Sequence, residues 1–417
     1  MSDQKSRTGW IVTLSGTGIN LALGILYAWS SLKGGIPDSW GWSNADKALP
    51  YSVACIVFAL SMVVAGKLQD SIGPRITATM GGILTGAGCI IAGLMGTSLL
   101  GFVLGFGVLA GIGIGFGYGS ATPPAVKWFP ASKTGMIAGI VVAGFGLAPV
   151  YIAPLATKLL DVFSTTVTSP TGETIVEKGV SSTMIAFGIG FLIIVTLLAQ
   201  MLKNPPAAAP ASAAAKKADA SSDKTWQEML KGGQFYICWL MYFAGAAAGL
   251  TFISVAQDLG KKSLGELAFF AVVALAIGNA SGRIITGIVS DKIGRQWTLF
   301  ICFIFQSVVV TSLYFLQAGA SWYVILLIVI FIGANYGANL ALFPSVAKDF
   351  YGLKNYGLNY GILFTAWGAA GFAMPWINGK IKDVTGNNDL SFVIIVGMLL
   401  AAAMLTFVSR SMVNKQA

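Results

Sequence analysis

Inside an apolar run near residue 280, four polar side chains stand at i, i+4, i+7 and i+11: Asn279, Arg283, Thr286 and Ser290. That is helical spacing, so a helix through the run carries all four on one face. Arg283 is the member with chemistry to offer. Its guanidinium is planar and permanently charged, and its fork of N–H donors matches a carboxylate with two parallel hydrogen bonds. No acid shares the run until Asp291 closes it eight residues later, about 12 Å away at 1.5 Å per residue. The alternative is a structural arginine, satisfied by backbone carbonyls or snorkelling toward water. With no ion-pair partner adjoining it in sequence, the carboxylate-binding reading is favoured. Asn279, one turn earlier, can orient the guanidinium by a hydrogen bond but cannot titrate.

Composition removes competing chemistries. His is absent, so there is no imidazole base, no His-liganded zinc and no His proton relay. Cys55, Cys89, Cys238 and Cys302 all lie in apolar runs without CxxC spacing and read as buried spectators. The glycine ladder Gly111 to Gly119 has no G-x-G-x-x-G register and no following Lys-Ser/Thr, so it reads as close helix packing, not a nucleotide loop. No nucleophile–base pair or metal cluster is recognisable. The expectation is no enzyme, no catalytic residue, no metal and no cofactor.

The elements that must position Arg283 follow from hydropathy. Of 417 residues 55% are hydrophobic and 10% charged, against about 25% charged in a soluble protein. Runs long enough to span a bilayer lie near 9–32, 48–68, 76–97, 99–122, 134–158, 181–202, 233–257, 264–289, 297–317, 321–345, 355–379 and 391–411. They are unbroken, unlike the alternating segments of a barrel. The first is too long for a signal-peptide core and is expected to be retained. Arg283 therefore falls well inside the hydrocarbon, at a cost of about 2.5 kcal/mol or more, where a charge normally marks a pathway or site. Gly278 and Gly282 form a small-x-x-x-small edge for a neighbouring helix. Between spans five and six, Ser164–Glu177 alternates Thr and Val around Pro170-Thr171-Gly172 and reads as a small extramembrane hairpin.

Between spans six and seven a Pro/Ala/Ser/Lys-rich stretch cannot bury a core. It predicts an N-terminal six-helix bundle over 1–203, a linker over 204–225 and a C-terminal six-helix bundle over 226–417. With the termini on one side, that side collects 17 of the 26 Lys and Arg and the other 8, leaving Arg283 between. The positive-inside rule makes the richer side, with both termini, cytoplasmic. The formal charge of +10 is thus a membrane signature, not a nucleic-acid one.

The halves repeat. Gly66-Lys-Leu-Gln-Asp70-Ser-Ile-Gly73-Pro-Arg75 reappears as Gly287-Ile-Val-Ser-Asp291-Lys-Ile-Gly294-Arg295, and Lys127-Trp-Phe129 as Lys348-Asp-Phe350, both offset by 221. Tyr118 and Tyr336 correspond at 218. Parallel six-span repeats in one membrane are a secondary-transporter scaffold. The doubled G-x-x-x-D-x-x-G loop is similar to the signature of the major facilitator superfamily, and the resemblance covers almost the whole chain. It implies an all-α fold of twelve transmembrane helices in two pseudo-symmetric bundles, with Asp70, Arg75, Asp291 and Arg295 gating alternating access.

Trp128-Phe129-Pro-Ala-Ser-Lys133-Thr-Gly135, followed by Ala143-Gly144-Phe-Gly146, resembles the monocarboxylate transporters and their oxalate/formate-type bacterial relatives. The resemblance supports a carboxylate held by Arg283, with Asn279 orienting it, and Tyr27, Tyr118, Tyr336 and Phe364 are expected to complete the cavity, although each taken singly also reads as a packing aromatic. It also exposes departures. The Asp that those transporters carry four residues before the Arg is Asn279 here, and the Lys of their first span is matched by Ser31, with Lys33 two residues on. Asp258, Glu266 and Lys33 become the candidates for proton coupling, although the two acids, at the outer ends of spans seven and eight, read more readily as interface acids and Ser263-Leu-Gly-Glu266 also reads as a helix cap. The oxalate relatives use a second cation in span eleven, whereas Gly361–Gly368 has none. One membrane cation suits one negative charge. The expected function is transport of a small monocarboxylate such as lactate or pyruvate, by proton symport in a bacterial inner membrane. Oxalate/formate-type exchange is the alternative. The expected partners are the substrate, protons and lipid, with no nucleic acid and no obligate protein partner.

Overall fold

The computed structural model describes residues 2–129, 134–168, 174–205, 223–316, 321–352 and 355–414. Among these, eleven helices are long and apolar enough to cross a membrane. In chain order they are α1 (Ser6–Lys33), α2 (Asn44–Gln69), α3 (Pro74–Leu94), α4 (Leu99–Lys127), α5 (Met136–Val162), α6 (Val180–Ala199), α7 (Gly233–Lys261), α8 (Gly265–Ile293), α9 (Arg295–Leu316), α10 (Trp322–Tyr351) and, last, α12 (Asp389–Met412). A further 30-residue helix, α11 (Tyr356–Thr385), stands where the eleventh span is expected. It is less apolar because its inward face carries Asn359 and Asn378 and its last turns carry Lys380, Lys382 and Asp383. The fold is therefore two sets of six helices. Most of the expected linker, 206–222, lies outside the described residues, as do the hairpin turn at 169–173 and Lys133. The hairpin itself forms: β1 (Thr165–Thr168) pairs antiparallel with β2 (Thr174–Glu177), Thr165 opposite Glu177.

The repeat read from sequence is also a repeat of backbone geometry. Gly73 adopts φ 88°, ψ 161° and Gly294 adopts φ 87°, ψ 155°. Only glycine takes that conformation without strain. Each ends one helix and starts the next in the same way. The N–H of Gly73 donates to Gln69 and that of Gly294 to Ser290, and Thr77 and Thr298 return a hydroxyl to the respective glycine carbonyl.

Spans α1 and α4 depart from continuous α-helix, as do α5 at Ala148 and α8 in its first turn. The α1 helix breaks into a 3-10 turn over Gly24–Ala28 before resuming at Trp29–Lys33. A Cβ on Gly24 would lie 2.2 Å from the Cβ of Ala148 and 2.7 Å from the Phe145 carbonyl, so the break sits where α5 crosses closest. It carries Tyr27. The α4 helix widens to π geometry over Val103–Ala110, a rare form that interrupts α-helices locally. The glycine ladder beyond it serves packing, as its spacing predicts. Cβ atoms at Gly113 and Gly115 would meet Thr85 on α3 and Ser61 on α2 at 2.4 and 2.7 Å.

Within the second six helices α8 and α10 touch backbone to backbone. Cβ atoms added at Gly278, Gly282, Gly333 or Gly337 would fall 2.0–2.1 Å from carbonyls of the facing helix. Gly278 and Gly282 thus form the expected packing edge, and Gly333 and Gly337 answer it from α10. Contact between the two halves runs chiefly along α2 against α11, where Gly361, Gly368, Gly371 and Gly379 admit the facing helix, and along α5 against α8.

Candidate functional site

The α8–α10 seam presents Arg283 toward the first half. Its Nε donates to Asn279 Oδ1 at 3.1 Å, and its Nη1 lies 3.4 Å from the Val142 carbonyl of α5. Among the described residues no carboxylate pairs with this guanidinium. Asn279 is fully buried. Because its oxygen faces Arg283, its Nδ2 points away and has no partner. Both Asn279 Nδ2 and Arg283 Nη2 would stand 3.5 Å from a Cβ on Gly146, so the missing side chain of α5 leaves the donors accessible. One buried donor, Asn279 Nδ2, is without an acceptor here beside a guanidinium that lacks a carboxylate, and a buried unpaired donor is costly enough to signal an absent partner. The arrangement suits an anion with two or more acceptor oxygens.

Aromatic rings from both halves wall the same place. Tyr27 meets Phe145 edge-on at 4.8 Å, Tyr118 meets Phe145 at 5.2 Å and Phe58 at 5.4 Å, and Phe364 stacks on Trp367 at 5.0 Å. Tyr27 and Tyr118 both lie within electrostatic reach of Arg283. The repeat-related tyrosines are not equivalent. Tyr118 is partly exposed, whereas Tyr336 is fully buried with its hydroxyl 2.6 Å from that of Tyr27 and accepting from Trp367 Nε1 at 2.8 Å. The expected cavity residues Tyr27, Tyr118, Tyr336, Phe364, Asn279 and Arg283 therefore gather in one region. Phe58, Phe145, Trp367 and Gly146 complete it; Phe145 and Gly146 fall within the span-five motif, but none of the four is marked by the sequence as a site residue, since a ring or glycine inside an apolar helix does not show which way it faces.

The proton-coupling candidates separate. Lys33, at the end of α1, reaches Asp258 of α7 at 3.3 Å, and Lys382 of α11 reaches the same oxygen at 3.5 Å. Lys33 keeps only 8% of its exposure, while Asp258 and Lys382 are partly buried, so the cluster sits between the halves at the end opposite the Gly73 and Gly294 turns. The next residue, Asp383, caps α2 from across the interface, accepting from the backbone of Asn44 at 2.7 Å and of Ala45 at 3.0 Å. Glu266 takes no part and is exposed. Nor does Ser263 cap it. The helix of span α7 runs on past Lys261 to Leu264, so Ser263 lies inside its last turn, and the 3-10 turn Gly265–Ala268 starts from Leu264 without a side-chain cap. The glycine between them takes φ 56°, which turns the chain before an N-cap can form.

The gating candidates occupy the turn end. Arg295 pairs with Asp291 at 2.6 Å and with Asp349 of α10 at 3.3 Å, and it also donates to Ser290. By the repeat offset Asp349 answers to Trp128, so the first half lacks the second carboxylate; Trp128 instead donates to the Lys203 carbonyl at 2.8 Å. Arg75 is exposed, and the Asp70 side chain lies outside the described residues.

Comparison with known proteins bears on the whole chain. The family model described as Major Facilitator Superfamily matches residues 8–375. An uncharacterized MFS-type transporter of Escherichia coli (strain K12) is 30% identical, over 87% of this chain and 85% of its own. The oxalate:formate antiporter of Oxalobacter formigenes is 28% identical over 92% and 87%, and the apicoplast pyruvate carrier 1 of Toxoplasma gondii is 25% identical over 80% and 69%. Among solved structures, a D-xylose-proton symporter superposes with a TM-score of 0.72 at 16% identity, covering 95% of this chain and 97% of that one. At that identity the likeness concerns the fold.

Proposed function

The chain belongs to the Major Facilitator Superfamily, a family of membrane transporters and not of enzymes, and on that premise we propose that it carries a small monocarboxylate such as lactate or pyruvate by proton-coupled alternating access. The observation that carries this reading is the guanidinium of Arg283, which has no carboxylate partner among the described residues and stands with Asn279 Nδ2 at the gap left by Gly146. A carboxylate fits this fork bidentately, and the aromatic wall takes the short apolar remainder. The α11 stretch Gly361–Gly368 offers no second cation, which matches one negative charge better than two.

In this reading residues 1–203 and 226–417 rock about the site, joined by 204–225. Both termini are cytoplasmic, in a bacterial inner membrane. The Asp291–Arg295–Asp349 cluster and the Asp70 and Arg75 turn then hold the cytoplasmic ends. The Lys33–Asp258–Lys382 cluster closes the outer end and is the titratable group best placed to admit a proton, while exposed Glu266 drops behind it. Symport makes uptake of a monoanion electroneutral. Exchange of the oxalate/formate kind is the second reading, favoured by the 28% identical antiporter.

Labelled-lactate uptake into proteoliposomes tests both. Symport predicts accumulation under an inward proton gradient with no internal carboxylate, whereas exchange requires internal counter-substrate. Arg283→Lys keeps the charge but loses the fork, so it is expected to transport at a tenth of the wild-type rate or less. Normal transport by that variant would sink the bidentate site.

A further inference from the structure

A second group of unpaired donors lies far from Arg283, where the chain returns from the linker. A short helix, Trp226–Lys231, precedes α7 and is closed by a capping box between Thr225 and Glu228. Those hydrogen bonds hold the Glu228 carboxyl below its usual range and occupy one of its oxygens. Between this helix, the first turn of α7 and the ends of α10 and α12 is a cavity of about 250 Å³.

Three kinds of donor face it. The α7 N-terminus enters through Gly232 and Gly233 with no side-chain cap; the Phe235 N–H donates to the Gly232 carbonyl at 3.1 Å, and the turn before it presents the positive end of a long helix dipole. Gln234 is 6% exposed and Tyr351 2%, yet Gln234 Nε2 and the Tyr351 hydroxyl have no hydrogen-bond partner among the described residues. Lys224 stands over the Tyr351 ring at 5.9 Å. Its main chain is pinned there. Its N–H donates to the Tyr351 carbonyl at 3.0 Å, and its carbonyl accepts from Asn355 at 3.1 Å and Asn359 at 2.9 Å. The rest of the lining is apolar, chiefly Met229, Phe235 and Met412.

We propose that this cavity is a second anion site, which binds an amphiphile with an oxyanion head, carboxylate or phosphate, on a short apolar tail. The head accepts from Gln234, Tyr351 and the α7 N-terminus and faces the Lys224 ammonium, and the tail lies against the methionines. Glu228 at the rim repels a head that enters in the opposite sense. A Cβ at Gly233 would meet nothing nearer than the Met412 methyl at 3.7 Å, so the glycine leaves the mouth open instead of relieving a clash. The site is independent of the transported substrate. Through Lys224 it ties the end of the linker to α10 and α11, and α11 is the helix that packs across the halves on α2.

The test is binding of radiolabelled octanoate to the full-length protein in phosphatidylcholine nanodiscs. Saturable binding is expected, weakened at least tenfold by Lys224→Gln and by Gln234→Leu. Tyr351→Phe keeps the ring beneath Lys224, so it is expected to weaken binding while leaving the melting temperature unchanged. Arg283→Lys is expected to bind octanoate as wild type does, and excess lactate not to displace it. Adding phosphatidylglycerol distinguishes the sources. Competition in the wild type identifies a phospholipid head as occupant, and no competition identifies a free carboxylate. Non-saturable uptake, equal binding by the three variants, or displacement by lactate together with loss in Arg283→Lys would each overturn the proposal.

Discussion

Arg283 and Asn279 act as one unit, because the amide that steadies the guanidinium is also the amide with a spare donor. Asn279→Asp tests this from the opposite side. A carboxylate in place of the amide pairs with Arg283 internally and competes with the substrate, so lactate KM is expected to rise tenfold or more in uptake assays. Asn279→Leu removes the spare donor and the orienting oxygen together, and transport should fall without a gain in pairing. Tyr336 belongs to a different class of residue. Its hydroxyl links Tyr27 to Trp367 in a fully buried setting. Tyr336→Phe strands the indole N–H and is expected to cost about 1–3 kcal/mol of stability, read as a lower melting temperature. The Arg283 fork was readable from residue type and spacing. Its neighbours Phe145, Phe58 and Gly146 were not, because what matters in them is which helix they face.

At the scale of elements, glycine placement decides how closely helices approach. Gly282→Ala would drive a methyl to 2.0 Å from the Ala334 carbonyl, while Gly287→Ala, on the same helix, meets nothing within 4 Å. The first is expected to destabilise by about 1–3 kcal/mol or more, since overpacking must displace backbone. The second should be neutral or slightly stabilising. Thermal melts of the two variants check this directly. Helix identity and the paired turns at Gly73 and Gly294 were legible from hydropathy and repeat. The 3-10 break that aims Tyr27 was not. It begins at Gly24, the glycine that admits Ala148, a contact between spans one and five that no local pattern records. Glu266 departs for a local reason: its capping spacing is present, but the preceding helix runs to Leu264 and the chain turns at Gly265.

At the scale of the molecule, two interfaces hold the halves at the end bearing Lys33: the Lys33–Asp258–Lys382 cluster and the Asp383 cap on α2. Removing one partner of a buried ion pair leaves the others uncompensated. Asp258→Asn should therefore loosen this end. In a background with the four native cysteines replaced, a cysteine at buried Ser52 is expected to react with an impermeant maleimide several-fold faster in Asp258→Asn. Unchanged labelling would show that the cluster does not hold that end shut. The sequence by itself determined the twelve spans, the duplicated turn and the presence of one membrane arginine without a local acid, because hydropathy, period and charge are properties of the chain taken in order. Only the tertiary structure decided that Lys33 finds Asp258 and Lys382, that Tyr336 is locked while Tyr118 is partly exposed, and that Gln234 and Tyr351 share a cavity. Those are meetings between helices far apart in the chain, set by packing geometry that no single segment encodes.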